Sequence, residues 1–264
     1  MFGTIKARFN LTSTSSKVAD LLYPPHCPMC NEPAMALHRL CDACWPKLEQ
    51  HLPPFCDCCA EALPAAPTGY AGPLMCGDCL DREPAFDRLR APLVYSPSVR
   101  PLVLAFKRFG QDGLVNLFQP HLQRTAAELL ANTDLVAPVP LHWSRLWKRG
   151  YNQAALLANC LDFDGTPASL QLDLLRRVKR TKPQGRSSAA NRYKNLSKAI
   201  AVVPAYKDLV QGRRVLVVDD VTASGATLNT CAKVLKRAGA AEVSCLVLAK
   251  SLRNAMYEDE EFDL

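Results

Sequence analysis

No apolar run in this 264-residue sequence approaches the roughly 20 residues needed to cross a bilayer, and the first 30 residues hold no apolar core with a small-residue cleavage site behind it. Membrane insertion and secretion are thereby excluded, and a cytoplasmic protein is expected. Also missing is any G-x-x-x-x-G-K-[ST] segment, which rules out a Walker-type nucleotide loop. Wholesale disorder is excluded as well, because 48% of the residues are apolar and 22% charged, enough for an ordinary soluble core. The length suits one small and one ordinary domain.

The net charge of +7 conceals a polarity, since the last seven residues, Glu258 to Leu264, carry five acids. Without that acidic tail (253–264), which is expected to be disordered, the excess is larger, and it favours phosphate-bearing partners, either a nucleotide or a nucleic-acid backbone.

Twelve cysteines are present, nine of them before residue 80. In a chain that is not secreted, clustered thiols point to metal rather than disulfides. Four C-x-x-C knuckles stand out: Cys27 with Cys30, Cys41 with Cys44, Cys56 with Cys59, and Cys76 with Cys79. Each presents two thiolates on one turn, and two knuckles complete the tetrahedral sulfur shell that zinc prefers. Sequential pairing of knuckles is simplest, but a cross-braced arrangement has compatible spacing, and Cys58 is an alternative ligand to Cys59. The prolines between the knuckles and the few large apolar residues leave little core of their own, so structural zinc should supply the fold of a module spanning 1–84. An all-thiolate shell has no open position for catalysis.

Beyond residue 84 the composition changes to short β-branched runs alternating with helical segments, the rhythm of an open, mainly parallel α/β sheet over 85–252. Residues 135–140 (LVAPVP), 200–203 (IAVV), 215–219 (VLVVD) and 243–248 (VSCLVL) are expected as strands, and 114–131 and 151–161 as helices. The most informative stretch is RVLVVDDVTASGATL from Arg214. Its apolar run suits a strand buried on both faces. Leu228, Cys231, Ala232 and Leu235 recur at helical spacing, and Gly239 offers a stop.

In between, Ala223, Ser224, Gly225, Ala226 and Thr227 are all small or hydroxylated, so their backbone N–H groups can close around an anion at a helix N-terminus. Asp219 and Asp220, at the carboxyl end of the strand, suit the cis-hydroxyls of a ribose whose 5-phosphate sits in that cradle. A second cluster joins Pro140, Leu141 and His142 to Arg145, Lys148, Arg149, Gly150, Tyr151, Asn152 and Gln153. A third, residues 176–198, holds nine basic residues and no acid. It is expected to be a mobile cationic loop, suited to hooding a reacting sugar phosphate or to contacting nucleic acid.

The strand, acidic pair and small-residue loop resemble the phosphoribosyl pyrophosphate signature of type I phosphoribosyltransferases. That resemblance implies magnesium with the ligand, Asp219 and Asp220 as the catalytic, ribose-holding pair, residues 223–227 on the 5-phosphate, and Pro140, Leu141, His142 and Arg149 on pyrophosphate. With the knuckles, the PAFDRLRAPL segment from Pro84 and the Arg149–Gln153 cluster, nearly the whole chain resembles the ComF/GntX family. Relatives there usually show Lys-Tyr-x-Gly-Asp where this chain has KRFGQD from Lys107. The resemblance implies phosphoribosyl transfer to a nitrogen base, a link to competence, DNA uptake and use of external DNA, and protein partners of a DNA-processing pathway. The alternative function is a catalytically inactive fold that binds single-stranded DNA.

Overall fold

The computed structural model describes residues 24–65, 69, 72–178 and 199–252. Most of the basic span 176–198 and all of the acidic tail lie outside them. The chain divides into two compact units, residues 1–46 and 47–264. The change in composition at residue 84 therefore does not coincide with the boundary in packing, and the second pair of knuckles belongs to the larger unit.

The larger unit contains helices α1 (Gly77–Asp81), α2 (Arg100–Phe106), α3 (Val115–Leu130), α4 (Trp143–Arg149), α5 (Gln153–Asn159), α6 (Lys207–Val210) and α7 (Ala226–Arg237). Its strands are β1 (Arg88–Arg90), β2 (Leu93–Val94), β3 (Leu135–Pro138), β4 (Ser169–Leu170), β5 (Leu175–Arg177), β6 (Ile200–Val202), β7 (Arg214–Thr222) and β8 (Glu242–Lys250). All pairings in the main sheet are parallel, in the order β1, β8, β7, β3, β4, and β2 continues the β1 edge along β8. Pro92 separates β1 from β2, and an edge tolerates its missing donor. A separate antiparallel pair joins β5 to β6, and residues 179–198 connect the two.

β7 and β8 are nine residues each and form the centre of the sheet, with Val215 to Val218 and Val243 to Ala249 buried. Such continuous burial is what a parallel strand covered on both faces requires. Alternation sends Val215 and Val217 into the core that contains Leu228, Cys231, Ala232 and Leu235 of α7, while Leu216 and Val218 face the other way. After α7, Gly239 at φ +95° lets its own N–H reach the carbonyl of Lys236 and the Ala240 N–H reach that of Leu235. These two bonds close the helix end at the glycine the sequence singled out. Among the described residues no helix is long and apolar enough to cross a membrane.

Candidate functional site

The four knuckles form two groups of thiols. Cys27, Cys30, Cys41 and Cys44 bring their sulfurs within 4.8 Å of one another, and so do Cys56, Cys59, Cys76 and Cys79. The sulfurs of Cys30 and Cys41 are 3.5 Å apart, as are those of Cys59 and Cys76. A zinc tetrahedron with bonds of about 2.3 Å has edges of about 3.8 Å, so both groups fit the ion with little adjustment. Pairing is sequential, not cross-braced. Cys58 is outside the second group of four, its thiol directed at the Phe86 carbonyl 3.9 Å away and also in reach of Cys79.

The two groups are built alike. In the first, Cys27 N–H donates to Glu32, Asn31 N–H to Cys27, and Ala34 N–H to Pro25. In the second, Cys56 N–H donates to Glu61, Ala60 N–H to Cys56, and Leu63 N–H to Pro54. Asn31 at φ 64° and Ala60 at φ 55° occupy the same left-handed corner. Only the second group shares the core of the sheet: Cys56, Cys76 and Cys79 pack in one apolar cluster with Phe86, Leu89, Cys245 and Val247. Its fold is thus supported by the α/β core as well as by metal, contrary to the expectation that metal alone would supply it.

β7 carries the acidic pair two residues before its end. The N–H of Asp220 donates to Asp219 Oδ1 at 2.9 Å, and that of Val221 to Asp220 Oδ1 at 2.7 Å. Successive strand residues point to opposite faces, and the charges around the two differ accordingly. Lys107, just past α2, lies 3.4 Å from Asp220 Oδ2, with both side chains largely buried. Asp219 feels Lys107 as well, and in addition Arg177 of β5 and the thiol of Cys231. Burial, and then the charge of Asp220, raise its pKa to about 8, against the pull of Lys107 and Arg177. Arg145 and Arg177 are themselves held below the usual guanidinium range, first by burial; for Arg145 the further causes are Arg177 and Arg149, with Asp220 opposing. Two carboxylates and four cations, Lys107, Arg145, Arg149 and Arg177, thus share one region of field.

The loop after β7 turns on Gly225, at φ +69°, a conformation that disfavours any side chain. Its N–H is taken by Thr222 Oγ1 at 3.1 Å. The first-turn N–H groups of α7, on Ala226, Thr227 and Leu228, have no acceptor inside their own helix and are the donors such a terminus offers to an anion. Phe86 closes the floor, since a Cβ on Gly225 would meet its ring at 3.5 Å. A Cβ would make ordinary contact there, so the left-handed turn is what a side chain would disturb.

Pro140, Leu141 and His142 follow β3, next to β7 in the sheet. His142 is buried and caps α4, its Nδ1 accepting from Ser144 N–H at 3.2 Å. The residues after α4 act as a clamp. Tyr151 Oη donates to the carbonyls of Phe106 at 2.7 Å and Arg108 at 2.9 Å. Asn152 donates to Val139, and Arg149 to Gln153 Oε1. The basic cluster therefore fixes the ends of β3 and α2, and with α2 the position of Lys107. Sequence reasoning did not single out Lys107, for which the dense KRFGQD segment was the local signal, and held Arg177 only as one residue of the cationic span 176–198. Elsewhere, a cleft of about 280 Å³ beside Gln123, Ala127 and Leu130 is bordered by Asp162 and Asp164 and lacks the cations that a phosphate needs.

Comparison with known proteins assigns both parts. Residues 18–80 match the double zinc ribbon domain family and residues 147–263 the phosphoribosyl transferase domain family. Competence protein F of Haemophilus influenzae is 31% identical over 82% of this chain and 93% of its own length. The DNA utilization protein YhgH of Escherichia coli K12 is 32% identical over 88% of this chain and all of its own length. Competence protein ComFC of Bacillus subtilis is 26% identical over 81% and 85%.

Proposed function

Since the chain belongs to the family of competence protein F and the DNA utilization proteins, with a double zinc ribbon and a phosphoribosyltransferase-like domain, we propose that it binds the magnesium complex of phosphoribosyl pyrophosphate and transfers phosphoribose to a nitrogen base. The observation that carries this is the half-buried acidic pair of β7, faced by Lys107 and Arg177 and followed by the glycine turn into α7. Asp219 and Asp220 would hold the ribose hydroxyls. The backbone of residues 223–227, with the hydroxyls of Ser224 and Thr227, would hold the 5-phosphate. Pro140, Leu141, His142 and Arg149, joined by Lys107 and Arg145, would lie along the pyrophosphate. Magnesium would neutralise the diphosphate, and the cations would stabilise its departure while positioning supplies the rest of the rate. Structural zinc is held by the two thiol groups.

The test is calorimetric titration of zinc-loaded protein with phosphoribosyl pyrophosphate and magnesium. Saturable binding that disappears in Asp219→Asn/Asp220→Asn, with the melting curve retained, supports the assignment; equal affinity in that variant removes it.

A second reading, a module for single-stranded DNA, is favoured by α4. Trp143 and Trp147, one helical turn apart, are 67% and 86% exposed beside Lys148, and Phe109 is exposed against Gly150. Exposed rings interleaved with cations suit stacked bases and a phosphate chain. Binding of single strands that weakens steeply with salt and is lost in Trp143→Ala/Trp147→Ala would support it; salt-insensitive binding would not.

A further inference from the structure

At the end of β8, Lys250 stands opposite Thr222 in the sheet, one residue before the phosphate loop, and opposite Val94 on its other side. Its side chain is 4% exposed. Hydrocarbon stems are common at such a depth, but a buried ammonium needs partners for all its protons. Here the three are accounted for: Glu61 Oε2 at 3.0 Å, the Ala223 carbonyl at 3.2 Å, and the Ser251 carbonyl at 2.7 Å. Glu61, 10% exposed, lies two residues past Cys59, and its carbonyl receives the N–H of Cys56. One ammonium thus bridges the second thiol group and the first residue of the loop.

The consequence follows from the planarity of the peptide. In a trans peptide the carbonyl and the next N–H point in opposite directions. Holding the Ala223 carbonyl on Lys250 therefore fixes the Ser224 N–H on the side of the loop away from the ribbon. A second contact acts in the same sense. Phe86 packs beneath Gly225, Cys58 touches its carbonyl, and the neighbouring Ala85 N–H donates to Asn229 Oδ1 of α7 at 2.7 Å. Cys59, Phe86 and Leu89 form one wall of a small crevice whose other wall is Ala223, Ser224 and Gly225. The loop is pinned from below at both ends, by Lys250 and Glu61 at Ala223 and by Phe86 at Gly225.

We propose that Lys250 and Glu61 are positioning residues of the phosphate loop, through which the second thiol group, and not the first, governs affinity for a phosphoribosyl ligand. The proposal rests on the phosphate-binding assignment given above and deepens it. Neither residue touches the ligand. They set the direction of a peptide that does.

Separating this role from simple loss of stability needs more than a single substitution, because removing one partner strands a buried charge. Three zinc-loaded proteins should be compared: wild type, Lys250→Met, and the apolar pair Glu61→Met/Lys250→Met, which strands none. Zinc content, melting temperature, amide exchange of residues 223–227 and affinity for magnesium phosphoribosyl pyrophosphate are measured on each. The pair variant is expected to keep both zinc ions, to melt near wild type, and yet to exchange its loop amides faster and bind about tenfold more weakly, the effect of one charge-assisted bond. Glu61→Gln, which keeps the Lys250 link to Ala223, should fall between. Wild-type exchange and affinity in the pair variant would overturn the proposal and assign the loss in Lys250→Met to the stranded carboxylate. Should wild type itself fail to bind, the phosphate assignment fails, and the exchange comparison still decides whether the pair orders the loop.

Discussion

On the proposed assignment, Asp219 should make ligand affinity depend on pH in a direction that can be worked out beforehand. Its carboxyl titrates near 8 rather than at the ordinary 3.8, because it is buried and Asp220 stands beside it; Lys107 and Arg177 oppose the shift without cancelling it. The groups that face it are those three, Asp220, Lys107 and Arg177, together with the thiols of Cys231 on α7 and Cys245 on β8. At neutral pH the free protein therefore holds a proton that a sugar-hydroxyl or magnesium-bound site must give up. With a pKa of about 8, the ionised fraction is ~0.01 at pH 6 and ~0.5 at pH 8, so the apparent dissociation constant should fall ~50-fold between them.

Calorimetry at each pH, in buffers of different ionisation enthalpy, should show up to one proton released per ligand bound near pH 7. Titration of the ligand's own phosphate is removed by comparison with Asp219→Asn, which should retain only that smaller dependence. Equal slopes in the two proteins would refute the reasoning. Stability carries the same linkage with its sign reversed from the common carboxylate case. The folded state binds this proton more tightly than the unfolded chain, so the contribution is complete below 3.8 and is lost as pH rises towards 8.

Three further outcomes follow from the structure. Lys107→Met removes a charge that lowers the Asp219 pKa, so the midpoint of the pH–affinity curve should move upward, and a midpoint at or below the wild-type value would contradict the assigned field. Metal analysis should find two zinc ions per chain; chelation should lower the main melting transition through the second group, which is embedded in the sheet core, while Cys27→Ser/Cys30→Ser should leave that transition nearly in place. Gly239→Ala puts a Cβ against the Gln211 side chain at φ +95° and should cost about 1–2 kcal/mol in denaturant unfolding with ligand affinity unchanged; no loss of stability would show that the helix end relaxes.

What the sequence discloses depends on how local the signal is. β7, β8, α3 and α7 are long and periodic, and their expected bounds differ from the observed ones by a few residues. Elements such as α2, α4 and the broken β1–β2 edge are too short for periodicity to show. The acidic pair and the small-residue loop were evident because they lie in one stretch. Lys107 and Arg177 come from segments 113 and 42 residues away from Asp220 and Asp219, by the numbering, so only the folded chain brings their charges to bear. Composition could not show that the second group packs into the sheet, because the apolar partners of Cys56 and Cys76, among them Phe86, Leu89 and Val247, lie outside the cysteine-rich segment. The likeness of the two knuckle groups is also written in the sequence, as PPHCPMCNE from Pro24 and PPFCDCCAE from Pro53, and the matching backbone bonds and left-handed corners at Asn31 and Ala60 lie on that shared pattern.

Twin architecture with unequal embedding makes two grades of tolerance in one repeated motif. A substitution around Asn31 has its first consequences within a small unit of 46 residues, whereas the same change around Ala60, fully buried, reaches the sheet through Glu61 and Lys250. Over generations the first copy is free to vary its exposed residues as far as its four thiols allow. The second must drift in step with the loop above it, so paired changes at positions 61 and 250 should mark the lineages in which that connection has been rebuilt.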